Sequence, residues 1–132
     1  MLVASANHPL AQKSSLKLDE LKKIPLLWRE PGSGTLETIV FELKSLGLKL
    51  TDFKSEMQLG NTESIKTYLL HSECMAFVSI HSILQDLKDR TLIVIDVKNL
   101  TMERDFYFIQ SHGEQAAIAN LFLKFATHYN FK

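Results

Sequence analysis

The sequence predicts an α/β domain with a mostly parallel sheet and helices on both faces. Three observations carry this reading. Apolar runs of strand length alternate with stretches of helical periodicity, in the order β-α-β-α-β-α-β. Two of the runs, 75–80 and Leu92–Val97, are apolar almost throughout, as in strands covered on both sides. Glycine, proline and polar clusters divide the segments, and no internal repeat or low-complexity tract interrupts them.

The elements follow in order. Leu2, Val3 and Ala4 read as the tail of a strand. A polar stretch, 7–15, leads to a short helix near 18–23 that Pro25 closes. Strands are expected at Leu26–Arg29, 53–59, 75–80, Leu92–Val97 and 106–110. In the second of these, Phe53, Ser55, Met57 and Leu59 alternate with Lys54, Glu56 and Gln58, which predicts one exposed face. Between the strands, Leu36, Ile39, Val40, Leu43 and Leu46 recur at helical spacing, with Gly47 placed as a C-terminal cap. Ile65, Tyr68 and Leu69 make a shorter stripe, and Ile83, Leu84 and Leu87 another. Ile118, Leu121, Phe122, Phe125 and Tyr129 form the strongest stripe, on a C-terminal helix starting near Gly113.

With 132 residues, 45% hydrophobic and 23% charged, the chain suits one globular domain with a real core. Its 15 basic and 15 acidic side chains cancel, whereas a free-standing DNA-binding module is normally basic. The single cysteine, Cys74, permits no internal disulfide and no multi-cysteine zinc site, and reads as a small buried hydrophobe. The histidines at 8, 71, 81, 112 and 128 lack metal-ligand spacing, so no metal and no cofactor is expected. No charged-then-apolar leader is visible, and no apolar run approaches the roughly 18 residues of a membrane span. The expectation is a cytoplasmic chain without a membrane partner.

In open α/β sheets, ligands sit beyond the carboxyl ends of strands, where helices begin. Two junctions have this character: Gly32-Ser33-Gly34-Thr35 and Gly60-Asn61-Thr62. Each follows a strand and opens a helix, offering unpaired N–H groups and hydroxyls to a polar or anionic ligand. The first is not a nucleotide-hydrolase phosphate loop, which needs a lysine after its second glycine. Nor is Ser33 a nucleophile elbow, since Pro31 and Thr35 stand where glycines are required. The alternative at both junctions is helix capping by Ser33 or Asn61 alone. Glu37 suits a helix N-terminus but would compete with an anionic ligand. No Ser/His/Asp set or carboxylate pair suggests catalysis.

A family resemblance then comes into view. Asn7-His8-Pro9-Leu10-Ala11, Leu18-Asp19-Glu20-Leu21 with Pro25, and Arg29-Glu30-Pro31-Gly32-Ser33-Gly34-Thr35 resemble the effector-binding region of LysR-type transcriptional regulators. Leu59-Gly60-Asn61-Thr62-Glu63-Ser64-Ile65-Lys66 and Ala76-Phe77-Val78-Ser79 continue the resemblance over nearly the whole chain. The chain departs from that pattern at Leu36, where the family usually has arginine, and at Ser72 and Cys74, where it has glycines.

The resemblance implies a type-2 periplasmic-binding-protein-like fold, with one complete lobe and remnants of the other. Residues 8–98 would be the second regulatory subdomain, and 1–7 with 99–132 remnants of the first. It further implies a non-enzymatic sensor, binding a small polar or anionic effector between lobes to alter a DNA-bound oligomer. DNA would be met only through a domain absent from this chain. Ser33, Gly34, Thr35, Gly60, Asn61, Thr62 and Ser79 are the expected ligand contacts. The uncovered C-terminal stripe predicts self-association. The rival readings are a solute-binding protein of a transport system with the same fold, and a small enzyme using the Gly32–Thr35 turn for a phosphorylated substrate.

Overall fold

A computed structural model describes residues 1–103, 107–109 and 117–129. The elements are β1 (Leu2–Ser5), β2 (Ser15–Leu16), α1 (Leu18–Leu21), β3 (Leu26–Arg29), α2 (Gly34–Ser45), β4 (Ser55–Leu59), α3 (Thr62–Leu70), β5 (Met75–Phe77), α4 (Leu84–Lys88), β6 (Leu92–Val97) and α5 (Ala117–His128). Short 3-10 turns occupy Leu50–Asp52 and Ile80–Ser82.

The strands form a six-stranded sheet ordered β2-β6-β1-β5-β3-β4. β1 pairs antiparallel with both β5 and β6, while the other pairings are parallel. Among the described residues, β1 therefore runs against the other five strands. One rim of the sheet collects the carboxyl ends of β2 to β6 and the start of β1.

Side chains of successive strand residues point to opposite faces, so a strand buried on both faces must be apolar throughout. β5 meets that condition throughout, and β1 and β3 meet it up to their last residues, Ser5 and Arg29. Leu2, Ala4, Leu26, Trp28, Met75 and Phe77 pack with Leu36, Ile39 and Leu43 of α2 in one core. Val3, Leu27 and Ala76 pack with Ile65 and Leu69 of α3 in another. The two helices thus lie on opposite faces of the sheet.

Local chemistry fixes several ends. Gly47 takes φ +71 after α2, its N–H bonds to the Lys44 carbonyl at 3.0 Å, and the Leu48 N–H reaches Leu43 at 2.8 Å. This is the paired capping that a left-handed glycine permits. His8 is buried; its Nδ1 accepts from the Leu10 N–H (3.0 Å), so Nε2 carries the proton and donates to the Glu73 carbonyl (3.1 Å). That ring ties the turn after β1 to the loop before β5.

The structure also revises several expected elements. The strand expected over 75–80 stops at Phe77. β3 pairs with β5 only through Met75 and Ala76, and Val78 donates to the Met1 carbonyl at the start of β1 (2.9 Å), so no partner strand remains to carry pairing onward. β4 begins at Ser55 rather than Phe53, which is buried at the end of the preceding 3-10 turn. Ser55 to Gln58 are exposed on both faces because β4 is an edge strand and the helices centre on β3. β6 is only half covered, with Ile93, Val94 and Val97 partly exposed. β2 escaped the sequence pattern, since two residues carry no period and are held by pairing with β6.

At the C-terminus, the expected strand 106–110 falls partly outside the described residues, and Tyr107, Phe108 and Ile109 form no strand. The expected helix start near Gly113 also lies outside them. Ile118, Leu121, Phe122, Phe125 and Tyr129 on and beside α5 are each more than half exposed.

Candidate functional site

The rim where the parallel strands end holds every residue singled out as a ligand contact. β3 ends at Arg29, and the chain turns through Gly32 at φ +84, a left-handed conformation that glycine adopts without strain. The Ser33 N–H closes this turn onto the Glu30 carbonyl at 3.1 Å. α2 then begins, and its first backbone bond runs from the Glu37 N–H to the Ser33 carbonyl at 3.0 Å. Ser33 is buried, yet its hydroxyl makes no capping bond.

Thr35, Thr38 and Ile39 of α2 face Phe77, Ser79, Ile80 and His81 from the end of β5 across a cavity of about 230 Å³, with Met1 and Met102 at its border. The Thr38 hydroxyl donates to the Gly34 carbonyl at 2.9 Å. The hydroxyls of Thr35 and Ser79 have no protein partner among the described residues. Among the described residues, no lysine, arginine, aspartate or glutamate lines this space. A larger recess of about 540 Å³ adjoins it along the end of β6, sharing Met1, Phe77 and Met102 and adding Asp96, Lys98 and Glu103.

The second junction is differently occupied. Asn61 Oδ1 accepts from the Ser64 N–H at 2.8 Å, a side-chain cap on α3. Thr62 Oγ1 accepts from Arg29 Nη1 at 3.1 Å. Arg29 also forks onto Glu30, Nε to Oε2 at 2.8 Å and Nη2 to Oε1 at 2.9 Å. This ion pair holds the Glu30 carboxyl below its ordinary range and the Arg29 guanidinium above its own. The cation preceding the glycine turn is therefore already matched.

Thr35 and Ser79 are thus brought into one cavity, with Ser33 and Gly34 directly preceding Thr35. Gly60, Asn61 and Thr62 share the rim but do not line that cavity. Their helix packs on the opposite face of the sheet. Sequence reasoning missed Thr38, His81 and Met102. Thr38 lies one turn beyond Thr35, a signal that the apolar stripe masked, and His81 follows Ser79 by two residues. Met102 comes from the segment after β6 and has no local signal. Among the described residues no cluster of His, Cys, Asp and Glu could hold a metal, and no helix is long and apolar enough to cross a membrane.

A profile of the LysR substrate binding domain matches residues 1–130. The chain belongs to this family. Among curated relatives, the LysR domain is 28% identical over 115 residues to the RuBisCO operon transcriptional regulator of Acidithiobacillus ferrooxidans, covering 87% of this chain and 36% of that protein. It is 28% identical over 126 residues to the HTH-type transcriptional activator CmpR of Synechocystis sp., covering 95% and 40%. The chain therefore spans about two fifths of these relatives' length.

Two solved structures share the fold. The Synechocystis PCC6803 CcmR regulatory domain, in complex with 2-PG, superimposes with a TM-score of 0.76 at 20% identity, covering 98% of this chain and 62% of that one. The effector binding domain of QuiR, in complex with shikimate, does so at 0.73 and 15%, with the same coverages. The LysR domain thus has the periplasmic-binding-protein-like α/β fold expected from its sequence.

Proposed function

We propose that this LysR domain is the ligand-sensing portion of a bacterial transcriptional regulator and has no catalytic activity. Residues 8–98 serve as the second regulatory subdomain, with 1–7 and 99–132 belonging to the first. A small polar or anionic metabolite docks at the rim, and its preference for one conformation shifts the geometry of a DNA-bound oligomer. A ligand without such a preference shifts nothing, however tightly it binds.

The observation carrying this reading is the pair of uncommitted hydroxyls, Thr35 and Ser79, on opposite walls of one cavity at the strand ends. Ser33 and Gly34 complete the contact set through the turn. Gly60, Asn61 and Thr62 contribute at the neighbouring crest through backbone groups, since the Asn61 and Thr62 side chains are engaged. The regulator relatives support this reading over the transport one, and a cytoplasmic location is part of the same proposal. Self-association proceeds through the apolar face of α5, and zero net charge sets no barrier between copies. A strictly monomeric chain by light scattering across the micromolar range would contradict this last point.

The test is a thermal-shift screen of small metabolites on the wild-type chain and Thr35→Val. The expected result is a rise in melting temperature with at least one polar metabolite, reduced in Thr35→Val and retained in Thr67→Val on the outer groove of α3. Stabilisation unaffected by Thr35→Val would remove that residue from the site.

A further inference from the structure

We infer that Lys66 is a positioning residue for the rim. From the second turn of α3, its ammonium holds in place the 3-10 turn after β5, where Ser79, Ile80 and His81 form the cavity wall that faces Thr35. The functional role rests on the sensor reading above; the contact itself does not.

That wall leaves the sheet at Phe77, so strand pairing does not hold it. The turn's own bonds fix its shape. The Ser82 N–H and hydroxyl both donate to the Ser79 carbonyl, at 3.1 and 2.7 Å, and the Ile83 N–H donates to the Ile80 carbonyl at 3.1 Å. None of these bonds reaches another element, so the place of the turn is set from outside. Apolar packing supplies part of this: Ile83 is fully buried and Ile80 partly so, in the core that holds Ile65 and Leu69 of α3. Such burial is non-directional and does not by itself fix where a short turn sits.

Lys66 adds direction. Its Nζ lies 2.8 Å from Asp86 Oδ2 on α4, 3.2 Å from the Glu63 carboxylate one turn earlier on α3, and 3.5 Å from the Ser82 carbonyl at the end of the 3-10 turn. Three acceptors thus meet the three donors of one ammonium. The Lys66 and Asp86 side chains are 16% and 17% exposed, so solvent screens this pair less than a surface pair. Glu63 is largely exposed and adds little. Asp86 is itself rooted just before β6, where its carbonyl accepts from the Thr91 N–H at 3.0 Å and hydroxyl at 3.2 Å. The ammonium therefore pins the turn between α3 and a fixed point on α4. Without it, the Asp86 carboxylate loses its counter-charge and the Ser82 carbonyl its donor, and the wall is free to move.

The test compares the ¹⁵N-labelled wild-type chain with Lys66→Met, which keeps the hydrocarbon stem and removes the charge, and with Lys66→Arg, which restores the charge. Lys66→Met is expected to shift the Ser79, Ile80 and His81 amide resonances. It should also speed hydrogen exchange of the Ser82 and Ile83 amides by about tenfold or more, as for one lost charged hydrogen bond. The Glu37 and Leu48 amides at the two ends of α2 should keep their wild-type rates, and Lys66→Arg should restore most of the protection. Asp86→Asn, which keeps the side-chain shape, should perturb the same amides as Lys66→Met. If Lys66→Met does not fold, Asp86→Asn decides alone. Unchanged exchange at Ser82 and Ile83 would overturn the proposal. Equal acceleration at every amide would overturn it too, because it marks a general loss of stability and not a displaced wall. No ligand enters this experiment, so its failure leaves the sensor reading standing, and a failed metabolite screen leaves the Lys66 contact standing.

Discussion

Trp28 offers the sharpest test of how the core is built. It is the only tryptophan, lies on β3 at 4% exposure, and packs edge-on against Phe53 and stacked on Phe77, each at 6.2 Å between ring centroids. Its indole Nε1–H is buried and has no hydrogen-bond partner among the described residues. Trp28→Phe removes two buried ring carbons, worth about 1.6 kcal/mol at ~0.8 kcal/mol per carbon. It also removes the unpaired donor, whose desolvation costs about 1–3 kcal/mol. The two effects oppose, so the substitution should fall between a loss of about 0.6 and a gain of about 1.4 kcal/mol. Trp28→Ala, which loses the rings and leaves a cavity, should cost about 3–5 kcal/mol. Urea unfolding followed by far-UV circular dichroism measures both without relying on the deleted fluorophore. A loss above about 3 kcal/mol for Trp28→Phe would refute the reasoning, because it would mean the indole N–H is paired in solution.

Three further expectations use the same reasoning. Asn61→Ala removes the cap on α3 and should cost about 1 kcal/mol in urea unfolding, while Asn61→Ser should recover most of it. Glu30 is held below the ordinary carboxylate range when folded, so its contribution is complete above the unfolded value, about 4.3, and fades as pH falls through the depressed one. Melting temperature should therefore drop on the acid side, less steeply in Glu30→Gln; identical slopes would detach Glu30 from acid stability. Cys74 is 4% exposed and burial pushes its thiol up, so alkylation by iodoacetamide at pH 8 should run at least about tenfold slower than for a free thiol. A rate matching the free thiol would show that the segment entering β5 opens readily.

Where sequence and structure agree, the pattern and the packing share a cause. Leu36, Ile39 and Leu43 are buried as the stripe of α2 requires, and Gly47 caps that helix in the left-handed conformation its position implied. Val40 and Leu46 belong to the same stripe but stay 42% and 40% exposed, because a helix on one face of the sheet buries a narrower arc than its apolar residues span. Phe53 shows the limit of alternation. It is apolar and in phase with the strand, yet burial comes from the 3-10 turn that precedes it. Thr35 and Ser79 could be placed on the same rim from sequence because each follows a strand end at a turn, and the structure brings both to one cavity. The separation of Asn61 and Thr62 from them was not legible, since period alone does not say which face of the sheet a helix will cover. α5 makes the same point for surfaces: a strong stripe records a need for cover, and Leu121, Phe122 and Phe125 remain open.

The most direct test is a crystal structure of the chain with a metabolite that stabilises it. The account predicts density between the first turn of α2 and the 3-10 turn after β5, within hydrogen-bond reach of the Thr35 and Ser79 hydroxyls and against Phe77. Density instead along the outer groove of α3, beside Tyr68 and His71, with the rim cavity empty, would contradict it.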